Sequence, residues 1–155
     1  MAPDVNTVTL SIGVNTAAYD AGDLMGTAME VPMHLFRDRG GCILDNIVVT
    51  DRDVTAVPFD IYLFHSLPTS MSAGWNNNSG FSPVDGDMEK VILHMAFTAQ
   101  FTAAANGGAQ ARNIDLAIAI PNDHAGSLYV AMVARGTPTF DTASDVKLKM
   151  TFRGL

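Results

Sequence analysis

Apolar and polar positions alternate in short runs along most of the chain, and each run stops at Gly, Pro, Asn or Asp. A period of two marks a strand with one buried face. Val8, Leu10, Ile12 and Val14 share one face, with Thr7, Thr9, Ser11 and Gly13 opposite. The last run is the cleanest: Val146, Leu148, Met150 and Phe152 face one way, and Asp145, Lys147, Lys149, Thr151 and Arg153 the other. Ile114, Leu116, Ile118 and Ile120 alternate with Asp115, Ala117 and Ala119 until Pro121. Two runs differ from this pattern. Cys42 to Thr50 carries Ile43, Leu44, Ile47, Val48 and Val49 on both parities, which predicts a central strand covered on both faces. Met25 to Met33, with Gly26 and Pro32, predicts an irregular or edge strand. Val57 to Phe64, Val91 to Phe101 and Leu128 to Val133 bring the number to about eight, and Ala103 to Ala111 reads as a turn of small residues.

Helical periodicity is nearly absent. Leu67 to Asp87 is the longest aperiodic stretch, with Trp75, the run Asn76-Asn77-Asn78 and three glycines, closed by a short helical turn near Asp87 to Lys90. Loops of this length in compact domains are uncommon and usually functional or mobile. The predicted fold is all-β: an antiparallel two-sheet sandwich, jelly-roll-like, as one domain over residues 8–155, with the long loop at 67–87 and an extended polar arm at 1–7. An immunoglobulin-like sandwich is the alternative, because strand count does not fix strand order.

Composition agrees with this. The 155 residues suit one domain. Fourteen of the sixteen acidic residues are Asp, which favours turns over helices. Nine Lys and Arg leave a net charge of −7, with no basic cluster, so neither nucleic acid nor an anionic membrane is an expected partner. The longest apolar runs are too short for a membrane helix, and the MAPDVNTVTL start shows no signal-peptide pattern. The single Cys42 reads as a small buried hydrophobe.

Candidate chemistry is sparse. His34, His65, His94 and His124 form no metal-ligand pair by spacing. Asp85 to Glu89 lacks the ligand order of a calcium loop and reads as a solvated turn, with Asp87 capping a short helix. The Asp20 to Asp23 turn offers two carboxylates whose separation only the fold can set. No nucleophile elbow, dinucleotide fingerprint or phosphate loop is present. No enzyme activity and no cofactor or metal is expected. Trp75 is either an exposed contact anchor or a pin holding the loop to the sandwich. Arg37, Arg39, Arg135 and Arg153 read as solvated charges at sheet edges.

Ala18 to Gly26 (AYDAGDLMG), Leu128 to Phe140 (LYVAMVARGTPTF) and Ser144 to Leu148, with Ile47 to Asp51 and Asp60 to Phe64 between them, resemble a family of small β-sandwich structural proteins of tailed bacteriophages. These include head decoration, or cement, proteins. The similarity runs from about Val8 to Phe152 and rests on turns and core strands. It implies a virion protein on the outer surface of the capsid, a homotrimer that binds the major capsid protein and bridges its subunits. Acidity suits the outside of a DNA-filled shell. The expected contact residues are Pro3, Asp4 and Asn6 of the arm, with Trp75 and Asn77 of the loop. The rival reading is a tail-associated carbohydrate or receptor-binding module using Trp75 and the Asn-rich loop. An enzyme of the double-stranded β-helix type is the weakest option, since it needs clustered His and carboxylate ligands.

Overall fold

The computed structural model describes residues 5–32, 40–52, 58–72, 75–98, 102–104, 107–119 and 127–155. They form nine strands: β1 (Val5–Ile12), β2 (Leu24–Pro32), β3 (Gly41–Asp51), β4 (Phe59–Phe64), β5 (Val91–Phe97), β6 (Thr102–Ala104), β7 (Gly107–Ala119), β8 (Ser127–Ala134) and β9 (Val146–Gly154). Two single helical turns, α1 (Thr69–Ser72) and α2 (Asp85–Met88), lie between β4 and β5.

The pairing is that of one long hairpin rolled on itself. β4 pairs with β5, β3 with β7, β2 with β8 and β1 with β9, all antiparallel. Contacts of β9 with β3 and of β8 with β4 then close the roll into two sheets, ordered β1-β9-β3-β7-β6 and β2-β8-β4-β5. With the three-residue β6 set aside as an added edge, this is the strand order of a jelly roll, and the immunoglobulin-like alternative is excluded.

The core between the sheets joins the alternating positions of both. Ile12, Leu44, Ile47, Val49, Leu148, Met150 and Phe152 meet Ile61, Leu63, Val130 and Met132, each fully or almost fully buried. Phe59 and Phe97 stack with ring centroids 5.0 Å apart. Each such side chain contributes about 1.5–3 kcal/mol on burial.

Two expectations about strands are corrected. In β3, Leu44 pairs with Phe152 and Asn46 with Thr151, which leaves Asp45 as an extra residue. That bulge reverses the parity, so Cys42 and Leu44 point inward and then Ile47 and Val49 do. Apolar residues on both parities therefore reflect the bulge rather than cover on both faces. The strand buried along its whole length is β4. Gly107 to Ala111 belongs to β7 and not to a turn. The arm boundary also moves: Val5, Asn6 and Thr7 pair with Arg153, Phe152 and Thr151. Residues 1–4 lie outside the described ones.

In β2 the register slips between Met25 and Met29, as suits an irregular edge. Gly26 sits at this slip with φ of 73°, and a Cβ there would lie 2.9 Å from the Ile12 side chain. Both the left-handed backbone and the close approach require glycine.

Candidate functional site

The chain between β4 and β5 joins adjacent strands but travels the length of the sheet and back. Met71, Trp75 and Phe81 of this connection lie over the outer face of β2-β8-β4-β5 and build a second core there. Trp75, with its ring 6.1 Å from Phe64 and 4.9 Å from Phe81, packs with Leu24, Tyr62, Ala131 and Val133. Tyr62 also lies 4.8 Å from Phe81. This explains why β4 is buried on both faces: Phe59, Ile61 and Leu63 serve the inner core, and Tyr62 and Phe64 the outer one.

Two polar devices hold the covering segment. Near its start, wholly buried Asp87 accepts hydrogen bonds from the Thr69 N–H (2.6 Å), the Ser70 N–H (2.9 Å) and the Ser70 hydroxyl (2.5 Å). Lys90 Nζ lies 3.1 Å from the same carboxylate. Asp87 thus caps a helical turn, as expected, but that turn is α1 and not its own. Burial by itself pushes this carboxyl up, and the bonds from Ser70, Thr69 and Lys90 outweigh it, holding it far below its ordinary value. At the far tip, Leu24 N–H bonds Ser79 O and Phe81 N–H bonds Gly22 O, beside an isolated bridge between Asp23 and Gly80. Asn77 pins this tip. Its Oδ1 accepts from the Tyr19 hydroxyl and from Gly26 N–H (2.9 Å), and its Nδ2 donates to Gly13 O (2.6 Å).

Among the described residues, the other sheet has no such cover. Register places four rows across its outer face: Ser11, Lys147, Thr50 and Ala109; Thr9, Lys149, Val48 and Ala111; Thr7, Thr151, Asn46 and Asn113; Val5, Arg153, Ile43 and Ala117. Apart from Lys147, Lys149 and Arg153 the side chains are short. Arg153 is tied down at the bulge, with Nε 2.6 Å from Asp45 and a terminal nitrogen 2.7 Å from Asp115. Asp115 adopts φ of 54° to face it. The Asp45 and Asp115 carboxylates raise the Arg153 pKa. Lys147 and Lys149 are exposed, and among the described residues neither makes an ion pair. Two residues apart on one strand, they stand about 7 Å from each other. A chain of net charge −7 therefore carries, among its described residues, an unpaired cationic ridge on the outer face of β1-β9-β3-β7.

A third cluster lies on β4. Asp60, only 4% exposed, accepts from Arg135 Nε at 2.7 Å and from a terminal nitrogen of the same guanidinium, and His94 Nε2 lies 3.0 Å away. Arg135 also reaches the Tyr62 hydroxyl at 3.3 Å, and His94 stacks on Tyr62 at 4.6 Å. Burial raises the Asp60 pKa, but the Arg135 and His94 bonds more than offset it and leave it below its ordinary value. Asp60 in turn raises Arg135. His94 and Arg135 thus converge on one carboxylate oxygen, Asp60 Oδ2, while each keeps about half of its side chain exposed. Among the described residues no three His, Cys, Asp or Glu side chains are placed to hold a metal, and no helix is long and apolar enough to cross a membrane. Cys42 is fully buried, which pushes its thiol up to about 11.

The expected contact residues fare unevenly. Pro3 and Asp4 lie outside the described residues. Asn6 is a half-buried position of β1. Trp75 is 9% exposed and is a pin, not a contact anchor, because its ring seals the second core. Asn77 is half-buried, with both ends of its amide engaged within the chain. Of the four arginines expected as edge charges, Arg135 and Arg153 are bound internally, and Arg37 and Arg39 lie outside the described residues. Lys147 and Lys149 are the residues that sequence reasoning passed over. Their signal was present in two unpaired cations on the polar parity of the most regular strand.

The stretches that carry the phage-protein resemblance, more than a hundred residues apart in the chain, meet at one end of the sandwich. Gly22 N–H bonds Ala134 O, Tyr19 N–H bonds Pro138 O, and the Tyr19 ring stands edge-on to Phe140 at 6.0 Å. Compared with models of known protein families and with curated proteins, the chain matches none.

Proposed function

We propose that the protein is a capsid decoration protein of a tailed phage, docking on the outer surface of the head through the bare face of β1-β9-β3-β7 and bridging neighbouring capsid subunits. The observation that carries this reading is the asymmetry of the sandwich. One outer face is covered across Leu24, β4 and β8 by Met71, Trp75 and Phe81 of the β4–β5 connection, and the other presents short side chains around Lys147 and Lys149. The convergence of the resembling segments at one junction supports it from the side of the fold.

The partner chemistry follows from charge. With a net −7, the molecule as a whole is repelled by an acidic surface, so a ridge of two free lysines fixes which face approaches. Exposed ion pairs contribute only about 0.2–1 kcal/mol each, so the lysines orient while area binds. Four strands of some eight residues present about 500 Å², less than the roughly 800 Å² per partner of a standard interface. Such a face holds weakly alone and firmly when contacts repeat over a symmetric shell. Contacts shared across capsomer boundaries then oppose their separation under internal pressure.

The test is to add purified protein to heads that lack it, count copies per particle by quantitative mass spectrometry, and repeat with Lys147→Glu/Lys149→Glu. Many copies on heads, lost in the double variant and weakened by salt, are expected. Heads that take up only a few copies, or none, overturn this reading.

A further inference from the structure

The edges of the two sheets are unequal. β2 slips register between Met25 and Met29, carries Glu30 and ends at Pro32. β5 slips opposite Leu63 and Phe64 and carries His94, which is bound to Asp60. β6 is three residues long. β1 has none of these features. Its eight residues, Val-Asn-Thr-Val-Thr-Leu-Ser-Ile, include no charge, proline or glycine, and its register with β9 runs unbroken from Val5 opposite Arg153 to Ile12 opposite Val146. An edge strand spends only half of its backbone groups on its neighbour, and the rest point outward. Among the described residues, the Ile12 carbonyl, bonded by Val14 N–H, is the one β1 backbone group with a backbone partner outside the sheet. Long edges in soluble proteins are normally blunted, and an unblunted one is a template for strand addition.

We infer that β1 pairs antiparallel with β1 of a second copy about a two-fold axis, joining two five-stranded sheets into one of ten strands. An edge can pair with itself only across such an axis. Antiparallel partners share a face when their residue numbers sum to an even number. With Thr9 on the axis, Leu10 of one copy meets Val8 of the other on the inner side, and Thr7 meets Ser11 on the outer side. At these central pairs apolar faces apolar and hydroxyl faces hydroxyl, and only toward the ends of the seam does Asn6 meet Ile12, so the middle of the strand is complementary to itself. Val8 and Leu10 are only partly buried in the single chain and gain cover on pairing. β1 brings no charge to the seam, although each copy carries −7. The lysine ridges of the two copies stand three strand spacings apart, about 14 Å, beyond a screening length of about 8 Å. Pairing of β1 onto β2, β5 or β6 of a neighbour instead meets the features that blunt those edges.

The pairing stands independently of the capsid reading. If both hold, the bare face grows to roughly 1,000 Å² per pair, above the standard size. Sedimentation equilibrium of the full chain over a range of concentrations tests it. A particle of twice the chain mass is expected, returning to one chain mass in Thr7→Lys/Ser11→Lys with an unchanged circular dichroism spectrum. Outward amides of β1 should also exchange hydrogen more slowly in the native chain than in the variant. Should the double variant fail to fold, Thr9→Lys on the axis serves in its place. A native chain that stays monomeric, one that forms the trimer implied by the resemblance, or a dimer untouched by the substitutions overturns the inference. Loss of head binding with the dimer intact tells against the capsid reading alone.

Discussion

The two sheets share an inner core and part company on their outer faces. Over β2-β8-β4-β5, residues 65–90 add a second core around Trp75, so every residue of β4 is buried. Over β1-β9-β3-β7, register lines up Thr, Ser, Ala and two free lysines in contact with solvent. Neither the strands nor their pairing differ in kind. What separates the faces is where a long connection was placed, and that decides which face is structure and which remains surface.

The largest test of this contrast is Trp75→Ala, which should cost about 3–5 kcal/mol in urea unfolding by opening a cavity under the cover. Trp75→Phe should cost much less, because the indole N–H it deletes is buried without a hydrogen-bond partner. An Ala effect below about 1 kcal/mol would mean that the cover is not part of the fold. Next, Asp87→Asn should cost about 2–3 kcal/mol, since bonds to a charged acceptor are replaced by neutral ones. Acid should act on the same side of the molecule. Asp87 and Asp60 both titrate below their ordinary values when folded. The stability they contribute is therefore complete above the unfolded value near pH 3.8 and is lost as the pH falls below it. Near-ultraviolet dichroism of Trp75 should fade on acidification before the amides of β3 and β9 begin to exchange.

A smaller effect is expected from Asn77→Ala, about 1–2 kcal/mol, seen as faster hydrogen exchange at Gly26 and Leu24 with the rest unchanged. The smallest is Lys147→Gln/Lys149→Gln, which should shift stability by no more than about 0.5 kcal/mol while weakening head binding and flattening its salt dependence. A stability loss comparable to that of Asn77→Ala would show that the bare face is structural too.

Much of the architecture can be read from alternation. β9 follows its pattern throughout, β1 follows it over Val8 to Ile12 and β7 over its second half, and Pro32 with Gly26 marks β2 as an edge. The bulge at Asp45 was hidden, because one extra residue in a strand looks in sequence like cover on both faces. The role of 65–90 was hidden for a different reason. An aperiodic segment has no period to say which surface it lies on, so Trp75 and Asn77 looked like free contacts. Their partners, Phe64, Tyr19 and Gly26, are distant in sequence, and only the sheet brings them close. Lys147 and Lys149 were visible as a polar parity, but their lack of partners depends on register with β1 and β3.

The rolled hairpin also sets an order in time. In chain order β1 is the first of the nine strands and, among the described residues, pairs with β9, the last, so that pairing closes a loop over all the strands between them. Contacts of such long sequence separation form late and slowly. The uncharged, unblunted strand therefore waits unpaired until β9 is in place, and the segment best suited to meeting another copy is also one that stays exposed late in folding.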